Sequence, residues 1–160
     1  MRWANALIRS VIWLGGAGLY AYLKKPDGFS VLDVRPDAVG WLGVGLVGAG
    51  VVLHGWSNVV LARHDPAPGL AATLAATGPF RIVRNPIYLA GIVLLTGVGL
   101  LYRSWHIKEL VLPGVLFVYF HLAIVRVEEP ALRRLFGANY DAYCRRVPRW
   151  LPGPTPGNPQ

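Results

Sequence analysis

Residues 39–62, VGWLGVGLVGAGVVLHGWSNVVLA, contain no Asp, Glu, Lys or Arg over 24 consecutive positions. A helix that crosses the hydrocarbon core of a bilayer needs about 20 mainly apolar residues. This stretch therefore predicts a transmembrane helix. The fold class then depends on how many similar stretches the chain contains.

Three further stretches are similarly apolar. Residues 86–102 and 110–125 contain no charged residue, and residues 4–23 contain only Arg9. Hydrophobic residues make up 54% of the 160-residue chain and charged residues 15%, whereas about a quarter of residues are charged in ordinary soluble domains. The sequence therefore predicts an all-α, polytopic membrane protein with four transmembrane helices in a single membrane-embedded domain, residues 1–152.

The basic residues are distributed unevenly about these spans. The net charge is +8, and with a cytoplasmic N-terminus eleven Lys and Arg residues fall on the cytoplasmic side and five on the other. The positive-inside rule explains this asymmetry without a nucleic-acid partner. Both termini are therefore predicted to be cytoplasmic, with anionic membrane lipids as partners of the arginines.

The second span is rich in glycine. Gly43, Gly45 and Gly48 have the spacing of a dinucleotide-binding motif, but no strand precedes them and no acidic residue follows at the required distance. Small residues on a membrane helix allow a neighbouring backbone to approach closely. We therefore interpret these glycines as helix-packing positions.

The stretch that follows the fourth span is amphipathic. Apolar residues recur through 128–147 among arginines, which predicts an interfacial helix at the membrane surface, interrupted at Gly137. The connection between the third and fourth spans is short, so these spans should form an antiparallel hairpin. Residues 153–160 are rich in proline and glycine and are predicted to be a disordered tail.

One polar motif leads directly into the third span. Residues 78–88 read GPFRIVRNPIY and include Arg84, Asn85 and Tyr88. Proline disfavours a helical conformation at the residue before it, so Asn85 should precede a helix that starts at Pro86. The free amides of that helix start could hold an anion. Alternatively, the motif is a positively charged membrane anchor with a helix cap.

A second polar motif follows the fourth span. Glu128 and Glu129 stand at the membrane interface, where carboxylates are costly unless they are paired or solvated. They could bind a cationic ligand, pair with Arg84 or Arg126, or favour a helix N-terminus. No metal-ligand spacing and no Ser-His-Asp order occur, so neither a metal site nor a catalytic residue is predicted. His54 and His121, within predicted spans, each have either a functional role or an interhelical hydrogen bond.

Together the two motifs resemble those of the integral-membrane methyltransferases that include the isoprenylcysteine carboxyl methyltransferases and the phospholipid N-methyltransferases. Residues 78–88 resemble the family's G-x-Y-x-x-x-R-[HN]-P-x-Y motif, and residues 128–152 resemble its C-terminal signature. A two-helix hairpin separates the motifs in the family as it does here. The chain has Asn85, Phe80 and Ala90 where the family often has histidine, tyrosine and glycine, and its shortness resembles a minimal prokaryotic member, which implies a bacterial inner membrane.

The resemblance implies S-adenosylmethionine as the cofactor, bound on the cytoplasmic side, and a lipophilic acceptor that enters from the bilayer. Glu128 or Glu129 would hold the cofactor's ammonium, and Arg84 with the amides near Asn85 its carboxylate. The tyrosines Tyr88, Tyr140 and Tyr143 would contact the adenine, the ribose or the sulfonium. The implied acceptor is an isoprenylcysteine-type carboxylate or a lipid amine.

Two alternative functions are considered. A small membrane transporter would usually place a carboxylate within a span, whereas every Asp and Glu falls outside the predicted spans. A membrane reductase of the sterol-reductase type shares part of the hairpin architecture and would bind a nicotinamide cofactor. The sequence indicates neither the methyl acceptor nor the oligomeric state.

Overall fold

The computed structural model describes residues 37–64, 73–101 and 110–152, and every regular element in these ranges is helical. The elements are α1 (Ala38–His64), a 3-10 turn (Gly78–Arg81), α2 (Pro86–Leu101), α3 (Val111–Ala123), a π-helical segment (Ile124–Glu128), α4 (Glu129–Phe136) and α5 (Ala138–Arg146). The predicted all-α class is confirmed for these ranges. The first predicted span, 4–23, and the predicted tail, 153–160, lie outside the described residues.

Two helices are long and apolar enough to cross a membrane. They are α1 and the continuous helix Val111–Phe136, whereas α2 is apolar but has only 16 residues. Large apolar side chains remain exposed along both long helices, including Trp41, Leu42, Val51 and Val52 on α1 and Val111, Val115, Val118 and Leu122 on α3. Two of the four predicted spans are thus helices of membrane-crossing length and composition.

Helices α1 and α2 pack antiparallel through glycines. A Cβ atom on Gly43 would lie 2.9 Å from the carbonyl oxygen of Gly97, and one on Gly50 would lie 2.9 Å from that of Ala90. Gly48, also on α1, has no such neighbour within 4 Å. The predicted packing role is therefore correct for one face of α1, where the absence of side chains brings two backbones together.

Helices α2 and α3 form the predicted antiparallel hairpin. Tyr88, near the start of α2, stacks on Phe120, near the end of α3, with ring centroids 4.6 Å apart. Farther along, Leu116 packs against the buried pair Leu94 and Leu95. The hairpin thereby places the beginning of α2 beside the residues that follow α3.

The helix that begins at Val111 continues past its predicted end. The π-helical segment joins α3 to α4, so that the helix is continuous, and Pro130 lies inside it. Proline has no amide hydrogen and its ring would clash with the carbonyl of Arg126, four residues earlier, so a wider turn accommodates it there. The predicted interfacial stretch 128–147 is therefore divided: its first part extends α3, and Gly137, with φ of 53°, separates α4 from α5.

Residues 73–85, which precede α2, pack against the helices on both sides of them. Phe80 forms a buried cluster with Val60 of α1 and Ile87 of α2. On the other side, Leu74 and Ala76 contact a buried cluster formed by Tyr140 and Tyr143 of α5 and by Val147, which follows it. This segment thus carries the first polar motif to the C-terminal helices.

Replacing Gly50 with alanine is expected to destabilise the protein by about 1–3 kcal/mol, because the added methyl group would overpack the α1–α2 contact. Gly48→Ala is the matched control, since its Cβ would meet no atom within 4 Å. Thermal unfolding in detergent measures both variants. Equal midpoints for the two variants would contradict the close packing.

Candidate functional site

The carboxylate of Glu129 lies at the centre of a cluster of arginines. Its side chain is only 4% exposed. Oε1 accepts hydrogen bonds from Nη1 of Arg84 at 2.9 Å and from Nε of Arg149 at 2.7 Å, and Oε2 accepts one from Nη2 of Arg149 at 3.1 Å. Nη2 of Arg133 lies 3.6 Å from Oε2. A buried carboxylate requires such partners, because an unpaired charge is very costly away from water.

The positive charge of this cluster exceeds its negative charge. Three guanidinium groups surround the single carboxylate of Glu129, and Arg133 has a second, exposed partner in Asp141 at 3.1 Å. The hydrogen bond to Glu129 raises the pKa of Arg149 above its usual value, so Arg149 stays charged. The cluster is therefore suited to an additional anion.

Arg84 has further contacts inside the protein. Its Nη1 also lies 2.9 Å from Sγ of Cys144 on α5. Its Nε is buried and has no hydrogen-bond partner within the described residues. A buried donor without a partner is costly, so this nitrogen is available for a ligand oxygen.

Backbone contacts connect the two polar motifs. The amide of Arg84 donates to the carbonyl oxygen of Pro148 at 2.8 Å. The side-chain amide of Asn85 donates to the carbonyl oxygen of Arg149 at 3.3 Å. Asn85 also precedes α2, as predicted, and its own carbonyl accepts from Leu89 at 3.1 Å in the first turn. The start of α2 and residues 148–149 therefore lie side by side.

Glu128 has different neighbours from Glu129. Its Oε1 accepts a hydrogen bond from the hydroxyl of Tyr88. The ring of Tyr88 is in turn stacked on Phe120. Glu128 is partly exposed, and the described structure shows no arginine within ion-pair distance of it. Its negative charge is thus available to a cationic group.

Tyr140 and Tyr143 of α5 are buried, with 2% and 4% of their surface exposed. The hydroxyl of Tyr143 donates to the carbonyl oxygen of Phe80 at 2.6 Å. Burial raises the pKa of Tyr140 to about 12 and that of Tyr143 further. Both phenols are therefore neutral at physiological pH, and neither is suited to act as a general base.

The structure places the predicted site residues in three groups. Arg84, Asn85 and Glu129 lie in or beside the arginine cluster, and Glu129 pairs with Arg84, one of the two arginines proposed for it. Tyr88 and Glu128 form an adjacent pair. On α5, the ring of Tyr140 lies 5.8 Å from the guanidinium carbon of Arg133, and Tyr143 binds the carbonyl oxygen of Phe80.

Sequence reasoning assigned no role to three residues of the cluster: Arg133, Cys144 and Arg149. Arg149 belongs to the C-terminal signature, which was a usable signal. Arg133 is four residues after Glu129, a spacing that brings side chains together on a helix. Nothing in the sequence indicated that Cys144 would meet Arg84, because that contact joins residues 60 positions apart.

Replacing Glu129 with glutamine is expected to destabilise the protein by about 3–5 kcal/mol, because the arginines would lose their buried counter-charge. Asp141→Asn is the matched control: it removes an exposed carboxylate that also pairs with Arg133 and should change stability by about 0.5 kcal/mol or less. Thermal unfolding in detergent compares them. Similar losses in both variants would refute the central role of Glu129.

Comparison with known proteins identifies the family of this chain. The model of the phospholipid methyltransferase (PEMT) family matches residues 39–139. The nickel-cobalt-cadmium resistance protein NccN of Alcaligenes xylosoxydans xylosoxydans is 27% identical over 114 residues, which are 71% of this chain and 48% of NccN. The chain thus spans about half the length of that relative. No solved structure matches the chain. Because the family match covers more than half of the sequence, the chain belongs to the phospholipid methyltransferase family, within the isoprenylcysteine and phospholipid methyltransferase group.

Proposed function

We propose that this protein transfers a methyl group from S-adenosylmethionine to a lipophilic acceptor at the cytoplasmic face of a membrane. The observation that supports this most directly is the meeting of the two polar motifs. Arg84 of the first motif and Arg149 of the second both bind Glu129, although 65 positions separate the arginines along the chain. The family is one of methyltransferases, and this cluster is where the two motifs that resemble those of the family meet.

The residues present fit the carboxylate of the cofactor. The arginine cluster has excess positive charge, and the buried Nε of Arg84 needs an acceptor. Beside it, the first amides of α2, from Ile87 and Tyr88, lie at a helix N-terminus, which favours an anion. Arg84, Arg149 and these amides would therefore hold the carboxylate.

The ammonium of the cofactor fits Glu128 better than Glu129. Both oxygens of Glu129 already accept hydrogen bonds from arginines. Glu128 has one hydroxyl partner, Tyr88, and is partly exposed. In this proposal Glu128 binds the ammonium, and Glu129 orients the arginines.

When bound, S-adenosylmethionine supplies an electrophilic methyl group on a sulfonium. The chain's own contribution is to bind the two charged ends of the amino-acid portion and so orient the cofactor. The buried cluster of Tyr140, Tyr143 and Val147 meets the arginines at Tyr140, whose ring centroid lies 5.8 Å from the guanidinium carbon of Arg133, and it would exclude water on that side. Positioning and exclusion of water are the expected sources of catalysis, because the displacement needs no covalent enzyme intermediate.

The acceptor is proposed to be lipophilic, either an isoprenylcysteine-type carboxylate or a lipid amine. The helix that leads to Glu128 exposes Val115, Val118, Leu122 and Val125. Such a surface suits contact with lipid, from which an apolar acceptor would approach laterally. The name of the relative NccN refers to metal resistance. Within the described ranges no group of three or more His, Cys, Asp or Glu residues could hold a metal ion, and nothing else in the structure favours that activity.

Calorimetric titration of the purified protein with S-adenosylmethionine should show saturable binding. In Glu128→Gln we expect binding to weaken about 10- to 100-fold, because a hydrogen-bonded charge partner contributes about 1.5–3 kcal/mol. Asp141→Asn, which removes a carboxylate from the exposed side of α5, is the control and should bind as the wild type does. Unchanged affinity in Glu128→Gln would refute its assignment to the ammonium.

The dependence of methyl transfer on pH should identify the acceptor class. A lipid amine must lose a proton before it attacks, so its methylation rate should rise about tenfold per pH unit below the pKa of the amine. A carboxylate is already ionised at neutral pH, so its rate should stay level from about pH 6 to 8. Radiolabelled methyl incorporation into each acceptor, in nanodiscs, measures both. Incorporation into neither acceptor would contradict the proposed substrate classes.

A further inference from the structure

The residues that follow α5 are held by contacts with three parts of the protein. The carbonyl oxygen of Pro148 accepts from the amide of Arg84 at 2.8 Å, and the guanidinium of Arg149 binds Glu129. Trp150 then reaches α3, where its indole Nε1 donates to Nδ1 of His121 at 3.1 Å. Residues 148–150 thus form a strap from the start of α2 to α3.

Trp150 is an anchor with defined geometry. Its ring lies 4.8 Å from that of Phe117 and 6.5 Å from that of His121, centroid to centroid. The next residue, Leu151, is 72% exposed. Trp150 is therefore the residue that attaches the strap to α3.

The hydrogen bond also defines the state of His121. An indole nitrogen can only donate, so Nδ1 of His121 must accept and carries no proton. The neutral ring then has its proton on Nε2. His121 thus supplies an acceptor directed at Trp150, and this hydrogen bond joins α3 to the non-helical strap and not to another helix.

We propose that Trp150 and His121 are positioning residues that hold Arg149 in place to bind the carboxylate of the methyl donor. This inference rests on the proposed function for its ligand, but the contact itself does not depend on it. Arg149 and Trp150 are neighbours in the chain, so the position of one restricts that of the other. Without the anchor, the strap would keep only the contacts at Arg84, Asn85 and Glu129.

The proposal predicts an effect on one part of the ligand. Arg149 faces Glu129 in the cluster assigned to the amino-acid carboxylate, whereas no role towards the adenosine portion is assigned to the strap. Loss of the anchor should therefore weaken binding of S-adenosylmethionine but not of 5′-methylthioadenosine, which lacks the amino-acid portion. A general loss of folding would weaken both ligands.

The test uses four single variants of the full chain in nanodiscs and the double variant Trp150→Phe/His121→Leu. Trp150→Phe removes the donor and keeps an aromatic ring against Phe117, and His121→Leu removes the acceptor. His121→Asn places an amide oxygen near the position of Nδ1 and should restore the hydrogen bond. Tyr119→Phe is the control, because it removes a hydroxyl from an exposed ring on the same helix.

Two quantities are measured in each variant: the Kd of both ligands by calorimetry, and hydrogen exchange at the Arg84 amide. Trp150→Phe and His121→Leu should each weaken S-adenosylmethionine about three- to tenfold and accelerate Arg84 exchange by a similar factor, the effect of one neutral hydrogen bond. The double variant should be no worse than either single one, because both remove the same contact. His121→Asn and Tyr119→Phe should resemble the wild type.

Additive effects in the double variant, or unchanged Arg84 exchange in Trp150→Phe, would overturn the anchoring role. Equal weakening of both ligands would overturn the positioning role and leave a structural one. If the wild type binds no S-adenosylmethionine, the proposed function fails, while the exchange data still decide whether Trp150 and His121 hold the strap.

Discussion

The arrangement of the candidate site depends on the ion pairs of the buried Glu129 carboxylate. Its two oxygens form ion pairs with arginines from three different places in the chain: Arg84 before α2, Arg133 on α4 and Arg149 beyond α5. An ion pair removed from water gains stability only when its hydrogen bonds are complete. The need to complete them brings the ends of the helical hairpin and the C-terminal segment to one point.

Helix packing makes this convergence possible. The glycine face of α1 lets α2 approach closely, and α2 in turn stacks Tyr88 on Phe120 of α3. The wider turn around Pro130 then allows the α3 helix to continue, so that its last turns carry Glu128 and Glu129 to the start of α2. Features that look like defects in a helix, a proline and a set of glycines, thus position the polar residues.

Two adjacent carboxylates acquire different chemistry from this arrangement. Neighbouring residues on a helix point about 100° apart, so Glu129 faces the arginines while Glu128 faces Tyr88. One carboxylate is occupied within the protein and the other is partly exposed. The separation of charge between the arginine cluster and the partly exposed carboxylate of Glu128 is what suits this site to a zwitterionic ligand.

The sequence by itself determined the helical class, the length and apolar composition that would let residues 39–62 cross a membrane, the hairpin and the motif that includes Arg84. These follow from local hydropathy, loop length and spacing, which neighbouring residues along the chain encode. The tertiary structure alone decided that Glu129 is enclosed by arginines and that Trp150 binds His121. Such contacts join residues 20 and 29 positions apart, and their geometry depends on helix packing and on the turn at Pro130, which no local pattern specifies.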